Sequence, residues 1–245
     1  MNCCTDTSEA ANKGHLECLK TLHENGCEWH KWTTSLAAGN GRLECLKYAY
    51  ENGCEWSHST TYYATFYGHL ECLKYAHENG CEWNSWTTTG GAETGRLECL
   101  KYAHENGCEW DFYTTSYASR NGHLECLKYA HENGCKWNSE TTSSAAENGH
   151  LKCLFYCLEN DCPIHSETLN KLYKKLNFSE LNLVTNIKLR KVLLHPRLKD
   201  EINKYPNFVN SIQEYEEYIN KVYKIVELKT TLPTDIIKYE LMKYI

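Results

Sequence analysis

One stretch, GHLECLKTLHENGCEW at Gly14 to Trp29, recurs with few changes from Gly41, Gly68, Gly95, Gly122 and Gly149, each copy 27 residues after the last. No other feature restricts the fold as strongly. A unit this short cannot enclose a core, so its apolar face has to be buried against the copies before and after it. In the copy that starts at Gly68, Leu70, Leu73 and Ala76 recur with Cys72 and Tyr75 at helical spacing. That predicts a helix, which Gly80 ends in the left-handed conformation. Ahead of it a Thr-Thr pair opens a shorter helix, with threonine positioned to cap the free N–H groups, and an Asn-Gly or similar pair closes it. The unit reads as helix, turn, helix, loop, and Asp6–Gly14 aligns with Thr141–Gly149, so the array starts close to Met1.

Alternate copies share further residues: Trp32 with Trp86, Arg42 with Arg96, and Tyr63 with Tyr117, all 54 positions apart. Duplication of a two-unit block accounts for this. The frame is therefore uniform, and specificity has to be sought where the copies differ.

All fifteen cysteines precede Pro163, most of them in two fixed slots per unit, Cys18 and Cys27 in the first. Regular slots predict packing positions. Stacked units lie about 10 Å apart, whereas a disulfide needs α-carbons within about 7 Å, so equivalent cysteines in neighbouring units are not expected to bridge. No apolar run approaches the roughly 18 residues of a membrane helix, and MNCCTDTSEAANK has no basic start or apolar centre like a secretory signal. A reducing, cytoplasmic setting follows as an expectation. Up to Cys162 there are 12 Lys and Arg against 22 Asp and Glu, and beyond it 14 against 10. An acidic array disfavours a nucleic-acid partner and fits a neutral or basic protein.

The segment TTSSAAENGHLKCLFYCLEND at Thr141 to Asp161 resembles the ankyrin repeat, which has Thr and Ala in its first helix, Gly-His-Leu-Glu at the turn and Asn-Gly at the end. The resemblance runs from Asp6 to about Leu176. The Thr-Pro-Leu-His opening is missing, and each unit is about six residues shorter than the usual 33 or so. The resemblance implies an all-α solenoid of six short helix-turn-helix repeats, with β-hairpin fingers reduced or absent. Short Cys-rich units carrying GHLECLKYAHENGC also look like those of ankyrin proteins in giant DNA viruses and some amoebae, which would place the chain in host cytoplasm if it is viral.

After Cys162-Pro163 no Gly-His-Leu-Glu follows, and Leu169, Leu172, Tyr173 and Leu176 form one amphipathic helix that would cap the last repeat. The expected division is thus an array over 1–164 and a helical capping region over 165–245. A further helix is predicted from Phe208 to Leu228. The stretch from Leu232 to Ile245 resembles the opening of an F-box, in Leu232-Pro233, Asp235, Ile236 and Leu241. Poxviral ankyrin proteins end in a similar truncated segment. That resemblance implies docking on a Skp-type adaptor of cullin ubiquitin ligases, while a plain C-terminal helix packed on Phe208 to Leu228 accounts for the same apolar residues.

His15, Cys18, His23 and Cys27 are ligand types suited to zinc, but His15 and Cys27 lie at opposite ends of a helix of about 15 Å, too far apart for one ion. Arg42, Arg96 and Tyr50 replace the histidines in other copies. No metal, cofactor or catalytic residue is expected, since no phosphate loop or dinucleotide glycine pattern is present and the cysteines sit in repeated surroundings. The copies diverge at the three positions after each loop tryptophan. These are His30, Lys31 and Trp32, then Ser57, His58 and Ser59, then Asn84, Ser85 and Trp86, then Asp111, Phe112 and Tyr113, and finally Asn138, Ser139 and Glu140. With Tyr62 on the adjoining helix they are expected to form an extended surface for a protein or peptide, in a monomeric, non-enzymatic scaffold.

Overall fold

Helix pairs alternate along the repeats in the register that the 27-residue period predicts. The computed structural model describes residues 4–176 and 187–229, with no strand among them. The first five pairs are α1 (Thr7–Lys13) with α2 (Leu16–Glu24), α3 (Thr33–Gly39) with α4 (Leu43–Glu51), α5 (Thr60–Tyr67) with α6 (Leu70–Glu78), α7 (Ser85–Thr94) with α8 (Leu97–Glu105), and α9 (Phe112–Arg120) with α10 (Leu124–Glu132). A sixth pair is α11 (Ser139–Asn148) with α12 (Leu151–Glu159). The chain divides into two compact units, residues 1–141 and 142–245, with the division inside α11.

In the first unit each second helix buries one leucine completely, Leu19, Leu46, Leu73, Leu100 or Leu127. From α4 onward a cysteine and an alanine are buried beside it, as Cys72 and Ala76 are beside Leu73. The opposite face carries Lys–Glu pairs three residues apart, such as Lys74 with Glu71 at 2.9 Å, and exposed pairs of this kind add little to stability because water screens them. The first helices are built differently. Thr33, Thr34, Ser35, Ala37 and Ala38 of α3 are all buried, and side chains this small let odd-numbered helices lie directly against one another, more closely than the even-numbered ones do.

The threonine pairs do not cap helices as expected. The helix starts that carry them, in α3 and α5, have Trp32 and Ser59 at the cap position with no side-chain cap bond. Both threonines of each pair are buried instead, and they link one repeat to the next. Thr7 Oγ1 lies 3.0 Å from Thr33 Oγ1, Thr34 Oγ1 lies 3.2 Å from Thr60 Oγ1, and Thr61 and Thr115 repeat the link to Thr87 and Thr141. The same hydroxyls reach the following loop: Thr34 Oγ1 donates to Glu55 O and accepts from the N–H of Ser57. A buried hydroxyl has to be paired, and here the pairing fixes the register between repeats.

Glycines admit the bulky α5 between its neighbours. A Cβ at Gly90 would sit 2.9 Å from the ring of Tyr62, and one at Gly91 would meet Thr65 Cγ2 at 2.9 Å and Leu100 Cβ at 3.4 Å.

The second unit contains α12, α13 (Thr168–Lys175), α14 (Ile187–Leu193), a 3-10 turn at Pro196–Leu198, α15 (Lys199–Ile202) and α16 (Pro206–Lys229). The helices expected around Leu169 and from Phe208 to Leu228 are α13 and α16. Leu154, Leu158, Leu189 and Leu193 are fully buried in this unit, and Arg197 donates to the carbonyls of Leu158 (3.0 Å), which the end of α12 leaves open, and of Cys162 (2.9 Å) in the loop that follows. At the helix-ending position where the earlier copies have glycine, Asp161 keeps the left-handed turn at φ 58°. The F-box-like stretch from Leu232 to Ile245 lies outside the described residues.

Gly91→Ala is expected to destabilise the protein by about 1–2 kcal/mol. Overpacking against two buried neighbours outweighs the gain of roughly 1 kcal/mol in helix propensity. Gly90→Ala should cost less because the half-buried Tyr62 ring has room to turn. Urea denaturation of the two variants beside the parent checks the order.

Candidate partner-binding surface

The loop tryptophans belong to the frame. Trp29 stacks on His23 (4.5 Å), Trp56 on Tyr50 (4.3 Å), Trp83 on His77 (3.8 Å), Trp110 on His104 (3.6 Å) and Trp137 on His131 (3.7 Å). A tyrosine of the next repeat, Tyr48, Tyr75, Tyr102 or Tyr129, meets the first four of these tryptophans edge-on. The indole N–H of Trp29 donates to Asn52 O, and that of Trp56 to Asn79 O, both at 3.0 Å. The repeated His, Trp and Tyr are therefore held by one another.

The three variable positions that follow do not share one role. The first of them shapes the turn. Asn84 and Asp111 cap α7 and α9 by accepting from the N–H groups of Trp86 and Tyr113, and Asn138 accepts from Glu140 in the same way. Helices α7, α9 and α11 consequently begin two residues before the threonine pair. Where His30 or Ser57 stands instead, the helix begins at the pair itself, and Ser57 is 8% exposed. Ser59, Ser85, Ser139 and Tyr62 are half-buried. The exposed members are His30, Lys31, His58, Asn84, Glu140 and the large aromatics Trp32, Trp86, Phe112 and Tyr113.

Two clusters come together. Lys31 Nζ lies 5.3 Å over the Trp32 ring, and the ring of His58, from the next loop, is centred 6.5 Å from it. Trp86 stacks on Tyr113 at 6.2 Å, and Phe112 lies 4.2 Å from Tyr113. Trp32 is also the shared wall of two grooves. One, of about 620 Å3, runs along the loops and is lined by His30, Lys31, Trp56 and His58 among others. The other, of about 550 Å3, runs along the first helices between Asn12, Leu36, Asn40, Tyr63 and Tyr67, with Tyr67 itself half exposed. Residues 36, 40, 63 and 67 were missed by comparing loops alone. Their signal was present: Leu36 aligns with Tyr63, Gly90 and Tyr117, and Asn40 with Tyr67 and Thr94, so the first helices diverge as the loops do.

The thiols are arranged for packing. Burial pushes Cys54, Cys72, Cys81 and Cys99 up to about 11, and Cys108, Cys126, Cys135 and Cys153 up to about 12, the opposite of what a nucleophile needs. Cys108 and Cys135 donate to Asn84 O and Asp111 O, supporting the capping loops. Cys18 departs from the all-thiol expectation, because it is disulfide-bonded. It is half-buried, whereas Cys45, Cys72, Cys99 and Cys126 in the same slot are unbridged and 2% exposed, enclosed by packing.

A family profile described as ankyrin repeats, three copies, matches residues 8–87. Among solved structures, the human ASB11 ankyrin repeat domain superposes with a TM-score of 0.52 at 20% identity, covering 62% of this chain and 81% of that one. Residues 8–87 carry ankyrin repeats, and the described helix pairs share the ankyrin-repeat fold. Comparison with curated protein sequences gave no match. Ankyrin repeats are general protein-interaction modules, here with loops too short to form strands among the described residues. No helix among those residues is long and apolar enough to cross a membrane.

The ankyrin frame carries a pH dependence of its own. Burial above all holds His69, His104 and His131 below their ordinary 6.5. The unfolded chain therefore takes up protons first as pH falls, so this part of the stability is complete above pH 6.5 and declines below it. In the second repeat Tyr50 stacks on Trp56 where the first, third, fourth and fifth repeats use histidine. The His104→Tyr/His131→Tyr variant should keep the stacking and show a shallower fall in Tm between about pH 6.5 and 5, measured by thermal denaturation.

Proposed function

We propose that this ankyrin repeat protein is a non-enzymatic, monomeric cytoplasmic scaffold that binds a protein or peptide across its loops and first helices. One observation carries the reading: Trp32, 37% exposed, forms the wall between the two grooves, in a unit whose other large exposed aromatics are Tyr67, Trp86, Phe112 and Tyr113. Tryptophan and tyrosine bring large contact area with few rotatable bonds, and a rigid stack holds them in place before contact, which lowers the ordering cost of binding. The exposed carboxylates of Glu28, Glu55, Glu82 and Glu109 on successive loops favour a partner that is neutral or basic. The first variable positions, Ser57, Asn84, Asp111 and Asn138, support the turns, and the exposed residues beyond them make the contact. The array is taken to span 1–164, with 165–245 as its cap.

A Trp32→Ala/Trp86→Ala/Phe112→Ala variant is expected to keep its helical circular dichroism and to lose partners that the parent retains in affinity capture followed by mass spectrometry. Capture at the parent level by the triple variant would remove this surface from consideration. The F-box resemblance of Leu232, Pro233, Asp235, Ile236 and Leu241 supports a second, separable role, recruitment of a Skp-type adaptor. Deleting residues 232–245 should abolish co-purification of that adaptor and leave array partners bound, and absence of the adaptor from captures with the intact chain would refute the role.

A further inference from the structure

The first repeat differs from its copies in what surrounds its leading histidine and the cysteine one helical turn on. In the third repeat His69 is packed against the preceding repeat: its Nδ1 would lie 2.6 Å from a Cβ at Gly41, and its ring hydrogen-bonds the backbone of Gly39. Cys72, one helical turn on, is buried. In the first repeat the corresponding pair is His15 and Cys18, and what stands against them is a thiol, Cys4. His15 is exposed, Cys18 half-buried and Cys4 buried. Cys4 Sγ lies 3.5 Å from His15 Nδ1, and the three ligand atoms all lie within 4.8 Å of one another.

We infer that Cys4, His15 and Cys18 form a site for a thiophilic divalent cation, Zn2+ by ligand type, in the reduced protein. With Zn–S bonds of about 2.3 Å and Zn–N bonds of about 2.0–2.1 Å, the S···N edge of a tetrahedral site is about 3.6 Å and the S···S edge about 3.8 Å. The Cys4–His15 separation already matches the first of these. His15 and Cys18 are three residues apart at the start of α2, so both project to one side of the helix, and Cys4 closes the set from the segment before α1. Three protein ligands leave a fourth position for water or a small anion. His23 and Cys27 lie outside the set: His23 stacks on Trp29, and Cys27 Sγ donates to its neighbour's carbonyl, Glu28 O. The repeat pattern gives no hint of Cys4, because its alignment partners are Lys31, His58 and Ser85.

Cys18 is disulfide-bonded here, so the site is a property of the reduced chain. A water-soluble trialkylphosphine opens that disulfide. The phosphine gives two electrons and becomes the phosphine oxide, while water supplies the oxygen and the two protons of the thiols. Metal binding then releases the thiol protons to solvent.

The test uses the full chain, reduced with such a phosphine and freed of metal, titrated with Co2+ as a spectroscopic stand-in and with Zn2+ alone. One equivalent of Co2+ should bind with thiolate-to-cobalt charge-transfer bands, Zn2+ should displace it, and Tm should rise with Zn2+. Cys4→Ser and His15→Ala should each weaken binding about tenfold or more, since even supporting residues around a metal are worth that much. His23→Ala and Cys27→Ser should leave it unchanged. His15 is exposed, so its variant reports on the site without disturbing the core. Absence of the charge-transfer bands in the reduced parent, parent-like binding by His15→Ala, or undiminished binding by the oxidised chain would each overturn the assignment.

Discussion

Everything in the array depends on a repeat having no interior of its own. A pair of helices seven to ten residues long has one apolar stripe per helix, and the stripe is satisfied only by the next pair. Apolar contact alone would let neighbouring pairs slide along each other, because the hydrophobic effect is non-directional. The buried threonine hydroxyls remove that freedom. Thr34 reaches Thr60, the carbonyl of Glu55 and the N–H of Ser57, and a displaced pair would leave all three unpaired in a place water does not reach. Small first helices make this possible, since only Thr, Ser, Ala and Gly let two backbones come close enough for hydroxyls to meet.

The same economy separates frame from surface. The His-Trp-Tyr stacks and buried cysteines look like chemistry when one copy is read alone. Their recurrence over the first five copies shows them to be the repeated means of attaching a loop to the next pair. What remains free to vary is a short run after each tryptophan and the outward positions of the first helices. Variation there is itself constrained, because the first residue of each run sets where the helix begins. Asn84 and Asp111 start it two residues early, which carries Trp86 and Tyr113 onto the helix and stacks them. Trp32, after His30, stays in the loop and stands between two grooves. A change of cap thus re-aims an aromatic without altering the frame.

The fold was legible in the sequence because the period, the helical stripe and the helix-ending glycines all state local rules that the stack obeys. Two kinds of residue were not. The threonine pairs look like caps, the usual role of a hydroxyl at a helix start, and only the closeness of neighbouring first helices gives them partners 26 residues away. Tyr63 and Tyr67 were overlooked because the loops were compared and the outward faces of the first helices were not. Their lining of a groove with Trp32 depends on how one repeat's helix lies beside the next, a tertiary relation that no window of sequence contains.

Position within the stack also changes what a given motif means. A histidine followed three residues later by cysteine occurs at His15, His69, His123 and His150. Inside the stack the preceding repeat's backbone lies against such a pair, and desolvation pushes the Cys72 and Cys126 thiols up, so the motif contributes volume and one hydrogen bond. At His15 the neighbour is a thiol, and the same two side chains become part of a convergent set of donors. Repetition argues for packing only where the surroundings repeat as well, and at Cys4 they do not.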